Sequence, residues 1–251
     1  MGRLSARVAG RETTVKRVLL TASAVLLITA VAVGQVAIIW RIDTRTFLTI
    51  VGFYATTTGI IVAFAVWTAG EVGLPSFLLL ESLSGSQRWL RLLVHGVGMG
   101  VLVSLASVAL AGSGEAGVLR PWFWRQIQSP AGATLMAARS ALLEESFFRL
   151  FLIPFLVSVL LRAGSRRYRL RVRHGSAQMS ETRPERPEAS RWVVLCAVLG
   201  SSFLFGLAHV FNPVPAMLLG PFFAHSYLRG GWESAVLAHF VANWLVFVFY
   251  F

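Results

Sequence analysis

The sequence predicts an all-α fold: a polytopic transmembrane helix bundle of about seven spans, with six to eight compatible with the pattern. Three observations carry this. Charged residues are 14% of the 251-residue chain and apolar residues 56%, with a mean hydropathy of +0.69; a soluble domain carries about a quarter charged residues. Apolar runs of about 20 residues, enough to cross a bilayer as helix, recur along the whole chain. The basic residues collect mainly between those runs.

The net charge is +12, nearly all of it arginine, with Lys16 the only lysine. In a soluble protein such a balance would suggest nucleic acid. Here it clusters in an arm, residues 1–17, and in a loop, residues 162–191. That is the pattern of cytoplasmic segments beside anionic lipid. The expected setting is therefore multi-pass in the plasma (inner) membrane, with arm and loop cytoplasmic, the lipid bilayer as partner and no nucleic acid.

Along the chain, 18–40 reads as an uncleaved signal anchor, since 23 apolar residues exceed a signal-peptide core. Met1-Gly2 is no myristoylation site, because position 6 is Ala6. Spans at 46–68 and 89–111 follow. The stretch 69–88, with Gly70, Glu71, Pro75, Glu81 and Gly85, reads as a loop with a short interfacial segment, Phe77 to Leu80. The stretch 113–131 sets Trp122 and Trp124 beside Arg120 and Arg125, an interfacial aromatic belt. Residues 18–129 thus form an N-terminal transmembrane unit, and 130–251 a second unit. A fourth span, 132–161, returns the chain to the side of the arm, so both basic clusters agree.

That fourth span is about 45 Å long by helical rise, more than a bilayer core. It should tilt, protrude or break near Pro154. The loop 162–191 carries nine arginines and a Pro/Glu-rich run and reads as partly disordered. Spans 192–211, 213–228 and 232–250 complete the chain. The short 213–228 segment holds Pro213, Pro215 and Pro221, which suits a re-entrant hairpin. Cys196, the lone cysteine, reads as a small buried hydrophobe.

Charges at bilayer depth cost at least about 2.5–3.5 kcal/mol each, so polar residues inside spans mark function. One cluster is Glu144, Glu145 and Arg149, in the middle of the fourth span. Glu145 and Arg149 are spaced i,i+4, acid first, and can pair. Glu144 lies about 100° further round the helix and can face another partner. A second cluster, Phe205-Gly206-Leu207-Ala208-His209, closes the fifth span; Gly206 and Ala208 allow close helix approach. A third, His239 and Asn243, leaves one face of the last span. Their shared polar object could be a substrate carbonyl, a water, a metal or another helix. By residue count His209 lies about 25 Å and His239 about 10 Å from the cytoplasmic side, depths that do not meet easily. The other histidines are less informative: His174 falls in the polar loop, and His95 and His225 lie in or near spans. No His-Glu-x-x-His, Gly-x-Ser-x-Gly or intramembrane aspartate pair is present.

Together the three clusters resemble the CPBP family of intramembrane proteases, that of CAAX prenyl endopeptidases and of bacteriocin-processing or immunity (Abi) proteins. Its pattern is Glu-Glu-x-x-x-Arg, Phe-x-x-x-His and His-x-x-x-Asn. All three occur here in order within residues 130–250, and Arg229-Gly-Gly-Trp-Glu-Ser-Ala looks like the lead-in to the last. The resemblance implies a catalytic core in the C-terminal half and an endopeptidase acting on a membrane-anchored protein or peptide. The peptide bond would be that of an anchored precursor or a C-terminal tail. Glu144 would be general base, His209 would hold the attacking water, and His239 and Asn243 would form the oxyanion hole. Glu145, Arg149 and Phe205 would support them. No cofactor is expected; the alternative is zinc held by Glu144, His209 and His239. Two other readings stand beside the protease: a non-catalytic immunity or partner-binding protein of the same fold, and a small transporter relaying protons through Glu144 and His209.

Overall fold

The structure is a computed structural model that describes residues 16–33, 43–80, 83–111, 129–173, 190–209 and 213–249, and among them every regular element is a helix. Six helices are long and apolar enough to cross a membrane: α1 (Lys16–Val33), α2 (Thr44–Val72), α3 (Gly85–Leu110), α4 (Pro130–Gly164), α5 (Arg191–Ala208) and α6 (Pro213–Phe249). The protein is thus an all-α, multi-pass membrane protein.

Local chemistry sets the helix ends. The Asp43 carboxylate accepts from the N–H groups of Arg45 and Thr46, both at 3.0 Å, and starts α2. Gly73, at φ 71°, ends it, in a left-handed conformation that costs glycine nothing. Ser84 and Gln87 form a capping box on α3. Ser129 caps α4, with Pro130 in its first turn, where proline's missing N–H is harmless.

The count of spans turns on α6. Its 37 residues contain two non-helical positions, Gly230 (φ −136°, ψ 15°) and Gly231 (φ 70°, ψ −175°). The rings of Phe223 and His239 stack at 4.6 Å. On a straight helix those residues would lie about 24 Å apart. The chain therefore reverses at the two glycines, and α6 is two antiparallel limbs, 213–229 and 232–249. The last two expected segments are both present, as a hairpin with a near-residueless turn. A Cβ on Gly231 would lie 2.6 Å from the Leu78 amide nitrogen, so both the positive φ and the close approach require glycine there.

Small residues let the limbs pack. A Cβ on Gly100 would lie 2.6 Å from the Ala238 carbonyl, and one on Gly96 would lie 2.8 Å from Leu237. This small-xxx-small ridge of α3 seats the second limb. On the first limb, Gly220 meets Ser202 of α5. One apolar cluster joins α1, α2, α4, α5 and the turn through Ile28, Val62, Leu150, Tyr227 and Trp232. A second surrounds Phe148, Phe205, Phe223 and Ala238.

Several expectations are corrected. Phe77 and Leu78, half of the expected interfacial segment, are buried within the protein, 2% and 1% exposed, whereas Leu79 is exposed. The Phe77 ring meets Trp232 edge-on at 5.7 Å, and the Glu233 carboxylate accepts from the Leu78 N–H at 2.8 Å. Helix α4 does not break at Pro154. It widens into a π-helical stretch, Ser146–Leu152, just before that proline, which absorbs the missing donor. The arginine-rich segment starts as helix, which runs on to Arg173. Cys196 is exposed on α5 rather than buried. The aromatic belt at 112–128 and the segments 1–15, 34–42 and 174–189 lie outside the described residues.

Candidate active site

The three polar clusters, on α4, α5 and the second limb of α6, meet at one place. Glu144 Oε2 lies 3.4 Å from His209 Nε2 and 3.8 Å from His239 Nε2. The two histidines meet despite their different residue counts. His209 ends α5, and its ring folds back one turn, with Nδ1 2.8 Å from the Phe205 carbonyl oxygen, which closes about 5 Å of the difference. A carbonyl only accepts, so Nδ1 carries the proton and Nε2 faces Glu144. The Phe205 ring lies 4.4 Å from the His209 ring and 5.8 Å from that of His239. This is why phenylalanine one turn before that histidine matters.

Glu145 is wholly buried and shared. Its Oε1 lies 2.7 Å from His239 Nδ1, and its Oε2 lies 3.3 Å from Arg149 Nε. The clamp expected between Glu145 and Arg149 is present, and it extends to a histidine 94 positions away. Arg149 is also fully buried. It donates from Nη2 to the Gly220 carbonyl at 3.1 Å, and its guanidinium lies 4.2 Å from the Phe205 ring centroid and 5.4 Å from that of Phe223. Aromatic faces and a backbone oxygen replace the water an arginine would otherwise need. Buried ions of this kind stand only when paired and hydrogen-bonded.

Asn243 does not touch Glu144 directly. Its Nδ2 donates to Ser140 Oγ at 3.3 Å, and the Ser140 hydroxyl donates to Glu144 Oε1. The side chains of Glu144 and His209 are 26% and 34% accessible, against 3% for His239, whose Nε2 lies behind them, turned to Glu144. Glu144 Oε2 itself is buried among these groups.

All seven residues singled out in the sequence converge here: Glu144, Glu145, Arg149, Phe205, His209, His239 and Asn243. Three were missed. Ser140 sits one turn before Glu144, so a search for polar residues at i−4 would have found it. Phe223 and Gly220 reach the site only because α6 reverses, and nothing local marks them.

A helix bundle that brings glutamate, two histidines and asparagine together from facing spans agrees with the three-motif resemblance. Comparison with protein families agrees: residues 126–245 match the family described as Type II CAAX prenyl endopeptidase Rce1-like. Residues 126–245 are thus similar to the Rce1-like family, and this supports an intramembrane protease of the CAAX type, as the three motifs had suggested. No curated protein and no solved structure matches the chain.

Proposed function

We propose that the protein hydrolyses a peptide bond of a membrane-anchored or C-terminal-tail substrate, using a water activated by Glu144. The observation that carries this is the convergence of Glu144 Oε2 with two imidazole Nε2 atoms at 3.4 and 3.8 Å, in a cluster of which Glu144 and His209 are the partly accessible members. A water seated there lies within hydrogen-bond reach of the carboxylate. Glu144 removes its proton, and the oxygen adds to the scissile carbonyl carbon. His209 Nε2 holds the water in line. Asn243 and His239 face the developing oxyanion, where a donor is worth on the order of 10²–10³ in rate. The carbon–nitrogen bond then breaks, and Glu144 returns the proton to the leaving amine.

Charge balance fits this reading. Glu144, Glu145 and Arg149 together carry −1, so one proton on the histidine pair makes the buried cluster neutral, the least costly state in lipid. The arm and the arginine-rich segment are assigned to the cytoplasmic side of the plasma membrane by their charge.

A zinc ion held by Glu144, His209 and His239 is the second reading. In its favour, both imidazoles bond through Nδ1 and present Nε2, as zinc-bound histidines do. Against it, no group of three such side chains among the described residues is placed to hold a metal ion.

The test is a comparison of membrane proteomes from cells producing the wild-type protein or Glu144→Gln. Uncleaved precursors should accumulate with the variant alone. Equal processing of every precursor by both proteins would overturn the glutamate mechanism.

A further inference from the structure

We infer that Ser140 is a positioning residue of the site, fixing both the orientation of Glu144 and the direction in which Asn243 presents its amide. The inference rests on the proposed roles of those two residues and extends them.

The argument starts from how serine and threonine behave in these helices. Their hydroxyls mostly bond back to the carbonyl one turn earlier. Thr68 donates to Phe64, Ser107 to Val103, Thr134 to Pro130, Ser146 to Leu142 and Ser226 to Phe222. That bond hides a hydroxyl from lipid at no tertiary gain. Ser140 spends its proton differently, on Glu144 Oε1, one turn ahead.

A hydroxyl has one proton. Because a carboxylate only accepts, that proton belongs to Glu144, and toward Asn243 the oxygen of Ser140 can only accept. Asn243 must therefore turn its NH₂ group, rather than its oxygen, to this side, as the 3.3 Å contact from Nδ2 records. A free amide could face the site either way round, and one of the two ways would set an oxygen against an oxyanion. Ser140 removes that choice. The same bond holds Glu144 Oε1, leaving Oε2 for the two imidazoles. One hydroxyl thus sets the polarity of both partners, one of them, Asn243, 103 positions away on a facing helix.

The experiment uses the full-length protein in lipid nanodiscs and in cells. The infrared carboxylate stretch of Glu144 is assigned by subtracting the Glu144→Gln spectrum, then followed in Ser140→Ala and Ser140→Thr. Circular dichroism and gel filtration confirm that each variant folds. The band should move in Ser140→Ala and return in Ser140→Thr. In cells, Ser140→Ala should slow processing of the precursors that accumulate with Glu144→Gln by about ten- to a hundredfold, the worth of one hydrogen bond to a charged group. Ser140→Thr should restore it. An unmoved band in Ser140→Ala overturns the proposal. So does a moved band with wild-type processing. If Glu144→Gln accumulates no precursor, the protease mechanism fails and the catalytic role of Ser140 falls with it, whereas the band still decides whether the hydroxyl holds Glu144.

Discussion

His239 and Glu145, 94 positions apart, share a hydrogen bond of 2.7 Å, and the other oxygen of that carboxylate faces Arg149 at 3.3 Å. Glu145 therefore links the last motif to the first. Its removal should act on two levels. Glu145→Ala leaves a buried guanidinium without its anion and should cost about 3–5 kcal/mol, seen as a lower midpoint of thermal unfolding in detergent. Glu145→Gln keeps the shape and one acceptor. It should stay folded yet process precursors slowly, because His239 Nδ1 loses the carboxylate that holds its ring in place. A Glu145→Gln protein of wild-type activity would sever the link between the two motifs.

Arg149→Lys is expected to fail even though charge is kept. An ammonium cannot reach the Gly220 carbonyl and the Glu145 carboxylate from one plane, nor lie flat against the Phe205 ring. Loss of a buried charged hydrogen bond and of that stacking should lower stability by about 2–3 kcal/mol. Thermal unfolding of Arg149→Lys beside Arg149→Met separates geometry from charge: both should be destabilised.

Gly206 marks the closest approach of α5 to the first limb of α6. An added Cβ would collide with the Met217 side chain and would lie 2.6 Å from the Pro213 carbonyl oxygen. Gly206→Ala should therefore lose about 1–3 kcal/mol. Trimming the neighbour in the double variant with Met217→Ala should give back only part, since the backbone oxygen stays in place. Full recovery in the unfolding curve of the double variant would show that the side chain alone sets the spacing.

Metal dependence separates the two chemical readings. If Glu144 acts alone, extended dialysis against a strong chelator should leave processing by the purified, nanodisc-embedded protein unchanged. Complete loss, restored by zinc and by no other addition, would assign Glu144, His209 and His239 as ligands instead.

Much of this was legible in the sequence, for identifiable reasons. Span positions follow from composition, which lipid constrains more tightly than water does. The pairing of Glu145 with Arg149 follows from helical spacing within a single element. Cross-helix relations were not legible in the same way. Periodicity names neighbours on one helix and says nothing of the helix opposite. Hence Phe223 and Gly220 went unseen, and Phe77 read as interfacial although Glu233, 155 positions from Leu78, draws its segment inward. Residue counts also locate Cα atoms alone, whereas the His209 ring reaches back about 5 Å along its own helix to Phe205.

The reversal at Gly230 and Gly231 also turns sequence length into a ruler. From that turn, the register of the second limb is counted residue by residue: each step advances about 1.5 Å and rotates about 100°. His239 lies eight steps beyond Gly231, and Asn243 four more. One residue inserted between Trp232 and Ala238 would swing both side chains away from Glu145 and Ser140. Four inserted residues would bring them back to the same face, yet about 6 Å too far along. The number of residues between the turn and the last motif should therefore be fixed, whatever side chains its exposed positions carry.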